Sequence, residues 1–245
     1  MKRIGLLLFA TIAVVVGIRS WKQRGSAAAP PAAPADGVAA TRPTNSSGRT
    51  GAWFAPASRD AAAVPLLVLL HGTGGSGRQI LGRFIAQAKA RGFAIVAPDS
   101  RQVQGAWTWE VGDKPGEVTE DLNHVIATVE WVTDSVNLQV DLTRVLIAGY
   151  SGGASSAPYI GTNRRPFTQC AVLHGGAFPG GLGTRRIPCW FSTGNSDPAR
   201  PPAGVYKATS QLQALGFTTT YRTFAGAHEL TDPEIDALIS WWLER

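Results

Sequence analysis

Five consecutive large apolar residues, Leu66-Leu67-Val68-Leu69-Leu70, constrain this chain more than any other stretch. A strand with one wet face alternates apolar and polar side chains. An unbroken apolar run fits a strand covered on both faces, as in a parallel sheet between helices. The rest of the chain keeps that rhythm. Ile80, Leu81, Phe84, Ile85 and Ala88 recur at helical spacing over 78–91, and Gly92 ends that helix. Residues 93–97 read as the next strand and 98–116 as a loop. Val118, Leu122, Val125, Ile126, Val129 and Val132 mark a long amphipathic helix. Strands follow at 144–148, 170–173, 188–193 and 218–224, with helices after Ser151 and over 203–215. Thr231-Asp232-Pro233-Glu234 opens the last helix with a cap, an early proline and an acid three residues on. This order predicts an α/β domain with a doubly wound, mostly parallel sheet. Functional groups are then expected at the carboxyl ends of strands.

The sheet pattern occupies only part of the 245 residues. Lys2 and Arg3 precede an apolar run from Ile4 to Ile18, about signal-peptide length and short for a membrane span. A basic flank follows, Arg19-Ser20-Trp21-Lys22-Gln23-Arg24. Residues 1–24 therefore read as a cleaved export signal or an uncleaved anchor, giving a periplasmic, extracellular or membrane-tethered protein. Residues 25–49 are rich in Ala, Pro, Gly, Ser and Thr and bury too little surface to offset ordering entropy, so they read as a flexible linker. The single domain spans 50–245. The net charge of +6 resides in the leader and linker: residues 51–245 hold sixteen basic and sixteen acidic side chains. A nucleic-acid partner, which needs a basic patch on the folded domain, is not expected.

Gly149-Tyr150-Ser151-Gly152-Gly153 fits G-x-S-x-G between an apolar strand and a helix, the context that pattern requires. The turn is sharp enough to strain the serine backbone, and flanking glycines let strand and helix approach. A serine hydroxyl needs a base. Of four histidines, His228 lies just past the last strand. His124 falls in the long helix as a surface or packing residue, and His174 ends a strand, either lining the site or packing. The base needs an orienting carboxylate, and Asp197 follows the strand 188–193. Asp99 precedes the nucleophile, out of order, and Asp232 is explained as a helix cap. Two donors are needed for an oxyanion: the Gly152 N–H and an N–H from His71-Gly72-Thr73-Gly74-Gly75. No phosphate-loop pattern and no zinc-ligand cluster is present, so neither metal nor organic cofactor is expected.

His71-Gly72-Thr73, the serine pentapeptide, Asp197 and His228 resemble the α/β-hydrolase superfamily. Within it, the chain resembles compact esterases: dienelactone hydrolases, phospholipase/carboxylesterases, and polyhydroxybutyrate depolymerase/feruloyl-esterase-like enzymes. Glu120-Asp121-Leu122 resembles a helix such esterases carry before the serine. The resemblance covers about residues 50–245. It implies acyl transfer by Ser151, His228 and Asp197, with Thr73 as second oxyanion donor. Dienelactone hydrolases proper use a Cys where Ser151 stands, which argues against lactone hydrolysis of that kind.

Residues 175–187 leave no room for a lid, so the expected substrate is a small or aromatic ester or an accessible polyester. Trp107 and Trp109 stand either as one wall of the substrate site or as packing under their loop, and Tyr150 is grouped with them as a candidate substrate contact. Cys170 and Cys189 read as two small buried side chains or, in an exported chain, as a disulfide. Two rival functions remain: a serine peptidase, which in this fold generally carries an extra propeller or cap, and a catalytically idle binding module, which predicts a broken triad.

Overall fold

In the computed structural model, residues 39–40, 49–56, 63–134, 138–176 and 180–245 are described. Their strands are β1 (Ala39–Ala40), β2 (Gly51–Phe54), β3 (Val64–Leu70), β4 (Ala94–Pro98), β5 (Arg101–Val103), β6 (Ala106–Thr108), β7 (Val140–Tyr150), β8 (Gln169–Leu173), β9 (Cys189–Gly194) and β10 (Thr219–Phe224). The helices are α1 (Gly77–Arg91), α2 (Glu120–Asp134), α3 (Ser156–Asn163), α4 (Pro202–Ala214) and α5 (Asp232–Leu243). The main sheet runs β1-β2-β4-β3-β7-β8-β9-β10. From β4 to β10 every pairing is parallel, while β2 and β1 add an antiparallel edge.

The apolar run behaves as its composition requires. All seven residues of β3 are buried. Leu66, Val68 and Leu70 point into one core with Leu122, Val125 and Val129 of α2. Leu67 and Leu69 point into the other, with Phe84 of α1 and Leu238 and Trp242 of α5. Each such side chain contributes roughly 1.5–3 kcal/mol relative to exposure. Helices α1 and α5 thus cover one face, and α2, α3 and α4 the other. The chain leaves β3 toward β4 through α1, then crosses the opposite face through α2 to reach β7 on the other side of β3. The turns after β3 and β7 diverge there, opening a crevice at the carboxyl ends of the strands.

Two elements differ from the sequence expectation. The loop 98–116 contains the β5–β6 hairpin, whose turn residues Gln104 and Gly105 both have positive φ, 49° and 82°. Its strands have three residues each, too short to show a period, and Gln-Gly is not a common turn signal. Strand β2 was also illegible, because four consecutive buried residues at an antiparallel edge show no alternation.

Contacts with the folded part reach back before Thr50. Arg49, grouped by sequence with the linker, is buried, and its guanidinium pairs with Asp121 on α2. Ala39–Ala40 pairs with β2. The leader reading for 1–24 and the rest of the linker lie outside the described residues. No helix among the described residues is long and apolar enough to cross a membrane. Cys170 and Cys189 face each other in register across β8 and β9 as free thiols, with their sulfurs 2.8 Å apart.

His124, on α2, is buried, and burial together with the nearby Arg49 charge pushes its pKa down to about 4. A histidine that is neutral when folded takes up its proton on unfolding. Its contribution to stability is therefore complete above its ordinary value of 6.5 and is lost as the pH falls toward 4. That loss is about 3 kcal/mol. The melting temperature of the parent should fall between pH 7 and pH 4.5 by more than that of His124→Gln. Parallel declines in the two proteins would contradict this.

Candidate active site

Strand β7 ends at Tyr150, and Ser151 follows with φ 49°, a left-handed conformation that costs a serine about 1 kcal/mol or more. A short 3-10 turn, Ser151–Gly153, leads toward α3. The elbow closes this tightly only because Gly149 lacks a side chain: a Cβ there would lie 2.0 Å from the Gly153 carbonyl oxygen. Ser151 is thereby lifted above the carboxyl edge of the sheet.

The sequence-predicted residues converge on it. His228 Nε2 lies 2.8 Å from Ser151 Oγ, and His228 Nδ1 lies 2.7 Å from Asp197 Oδ2. Asp197 is buried in the loop after β9. Its Oδ1 accepts the N–H groups of Ala199 at 2.9 Å and Arg200 at 2.8 Å, while the Thr193 hydroxyl, 3.2 Å from Oδ2, lies closer to the Arg200 carbonyl, at 2.7 Å. Burial alone would raise its pKa, but hydrogen bonds from His174, His228 and the Arg200 N–H hold it well below the usual carboxylate range. The Tyr150 hydroxyl donates to the His228 carbonyl at 2.5 Å, tying the histidine loop to the elbow. The rival acids are engaged elsewhere. Asp99 accepts the Gly77 N–H at the start of α1, at 2.7 Å, and exposed Asp232 lies 3.5 Å from Arg83.

The turn after β3 lies alongside. A Cβ on Gly152 would come within 2.3 Å of Thr73 Oγ1 and 2.9 Å of the Thr73 nitrogen, so the two predicted donor peptides adjoin. The turn is fixed from several sides. Gly75 N–H donates to the Gly72 carbonyl at 3.0 Å, and Gly74 N–H to the Trp107 carbonyl at 2.9 Å. His71 Nε2 accepts the Ser100 N–H at 3.0 Å, which leaves the proton on Nδ1, 2.8 Å from the Gly72 carbonyl. Burial lowers the His71 pKa and keeps that ring neutral.

A cleft of about 470 Å³ opens beside this turn, with His71, Thr73, Gln79, Arg83, Tyr150 and Leu230 in its wall. Trp107 and Trp109 are not among the residues lining it. Trp109 is buried under the turn, where its indole N–H donates to the His71 carbonyl at 2.8 Å, as a buried indole must find an acceptor. Trp107 is exposed on the hairpin and reaches the turn through its backbone carbonyl. Of the three candidate substrate contacts, only Tyr150 faces the cleft.

Sequence reasoning left one group unassigned. His174 is wholly buried, with Nδ1 2.7 Å from Asp197 Oδ2 and Nε2 3.1 Å from Glu234 Oε2. Its position at a strand end was the only signal. Glu234 was read as a capping acid, but Thr231 makes no side-chain cap bond, and Glu234 reaches inward instead. His174, Asp197 and His228 are compact enough to ligate a metal. Their donor atoms, however, are already joined to one another by hydrogen bonds.

Known structures share this architecture. Esterase PE8 is 20% identical, with a TM-score of 0.60 over 80% of this chain and 98% of that one. The Bacillus cereus carboxylesterase is 17% identical, with a TM-score of 0.56 over 84% and 93%. This chain has the α/β-hydrolase fold. The acylaminoacyl peptidase of Pyrococcus horikoshii also carries it, at 16% identity and a TM-score of 0.57, but only 39% of that chain is matched. No protein-family model matches the sequence, and no curated protein matches it. Likeness at these identities shows the α/β-hydrolase fold alone.

Proposed function

We propose that the protein is a serine hydrolase acting on carboxylic esters through an acyl-enzyme. The observation that carries this reading is the continuous chain Ser151–His228–Asp197 at 2.8 and 2.7 Å, beside the paired peptides of Thr73 and Gly152. In this mechanism Ser151 Oγ attacks the ester carbonyl as His228 Nε2 takes its proton. Asp197 holds the imidazole in the tautomer with a free Nε2 lone pair and stabilises the imidazolium that forms. The Thr73 and Gly152 N–H groups receive the developing oxyanion. His228 returns the proton to the departing alcohol, then activates the water that cleaves the acyl-enzyme.

The cleft beside Tyr150 suits a small or aromatic acyl or alcohol group, or the exposed chain of a polyester. We further propose, from the apolar run that follows Lys2 and Arg3, that the activity lies outside the cytoplasm or on a membrane. Ester cleavage is preferred to peptide cleavage because esterase PE8 and the Bacillus cereus carboxylesterase are matched over 98% and 93% of their length, whereas only 39% of the acylaminoacyl peptidase is shared.

The reading is tested by turnover of p-nitrophenyl acetate against the matching anilide. Absence of hydrolysis of either, with no labelling of Ser151 by a fluorophosphonate, would leave an idle fold. Gly152→Ala probes the oxyanion donors. The new methyl must displace Thr73, so kcat should fall about 10²–10³-fold with KM within a factor of a few. An unchanged kcat would remove Gly152 from the mechanism.

A further inference from the structure

Both ring nitrogens of His174 meet carboxylate oxygens, Asp197 Oδ2 at 2.7 Å and Glu234 Oε2 at 3.1 Å, and all three side chains are buried. A neutral imidazole has one N–H and one bare lone pair, so it satisfies both contacts only if one carboxyl is protonated. Asp197 is not the one. Apart from His174, it accepts hydrogen bonds from His228 and from the N–H groups of Ala199 and Arg200, the surroundings of an ionised carboxylate. Nδ1 of His174 therefore donates. At Nε2 the proton lies on the ring or on Glu234. Glu234 sits in the first turn of α5, where the positive end of the helix favours a carboxylate. An imidazolium between two carboxylates carries the same net charge as a neutral ring beside a protonated Glu234, but it gives each carboxylate a cationic neighbour.

Burial alone disfavours the charged ring, but the hydrogen bonds to Glu234 and Asp197 outweigh it and raise the His174 pKa. Among the described residues, two further titratable rings pack against it: His228, at 5.4 Å between ring centroids, and Tyr150, at 5.6 Å.

We propose that His174 is a buried imidazolium, clamped between Asp197 and Glu234, and acts as a positioning residue by sharing Asp197 Oδ2 with His228. The clamp prevents rotation of the carboxylate. It also divides the negative charge of Asp197 between two rings, which sets where the acid limb of the kcat/KM profile falls. That kinetic consequence rests on the hydrolase reading; the charge state of His174 does not.

Two measurements on the full chain decide it. Nitrogen-15 NMR of the parent should show both ring nitrogens of His174 protonated at about pH 6.5, the ordinary value for the ring, and Glu234→Gln should abolish that pattern. A Gln amide donates to Nε2, keeps the packing and leaves the ring neutral. The acid limb for p-nitrophenyl acetate in Glu234→Gln should then move up by about one pH unit, with KM within about twofold, because Asp197 again pulls undivided on His228. One protonated and one bare nitrogen on His174 in the parent would place the proton on Glu234 and overturn the proposal, as would an unmoved acid limb. A parent that hydrolyses no ester would overturn the hydrolase reading, while the NMR result would still decide the charge of His174.

Discussion

Ser151→Ala should lower kcat for p-nitrophenyl acetate by about 10⁴–10⁶-fold while the protein stays folded. The size follows from the role proposed for the hydroxyl. Without Oγ no acyl-enzyme forms, and what remains is solvent attack on an ester held by the Thr73 and Gly152 peptides. KM should change little, because the cleft beside Tyr150 is untouched. Circular dichroism should match the parent, since alanine removes only the oxygen that faces His228 Nε2. His228→Ala should give a similar loss, and the two losses should not multiply, because nucleophile and base act as a unit. Parental activity in Ser151→Ala would mean that any hydrolysis observed has another origin.

The largest effect on stability is expected at Asp121. Its carboxylate is wholly buried, pairs with the almost completely buried guanidinium of Arg49, and accepts the Glu110 N–H at 2.5 Å. Arg101, partly exposed, lies 3.5 Å away and also reaches Glu110 at 2.9 Å. Asp121→Asn removes the anion and leaves Arg49 as an uncompensated buried cation. Breaking a buried pair in this way costs about 3–5 kcal/mol, a fall in melting temperature on the order of 10 °C for a domain of this size. Arg101→Gln should cost far less, because water solvates what it leaves behind. Asp121→Leu combined with Arg49→Met should recover part of the loss, though not all, since the Glu110 N–H then lacks its acceptor. A melting temperature in Asp121→Asn within 2–3 °C of the parent would show that the pair is solvated.

Asp121 also marks what could not be read from the sequence. It stood out only through a resemblance, inside Glu120-Asp121-Leu122, and its main partner Arg49 had been grouped with the linker. A charge is assigned to a solvated segment when its neighbours in sequence are small and polar. Only a contact across 72 residues reveals that it is buried. Glu234 misleads in a similar way. Thr-x-x-Glu before an apolar helix is the pattern of a local cap, and a local motif explains the acid without any distant partner. The side chain instead crosses 60 residues to His174.

The sequence by itself determined the parallel sheet and the residues that gather at its edge. An unbroken apolar run admits few environments, and helical and strand periods are local. The order Ser151, Asp197, His228 follows from which strands end before them. The tertiary structure decided everything that depends on two distant groups finding each other. It showed Trp109 supporting the turn at His71, Tyr150 facing the cleft, and Arg49 drawn into the core by Asp121. It also placed a second histidine on the carboxylate behind His228. Burial and hydrogen-bond partnership are properties of pairs, and a sequence lists its residues one at a time.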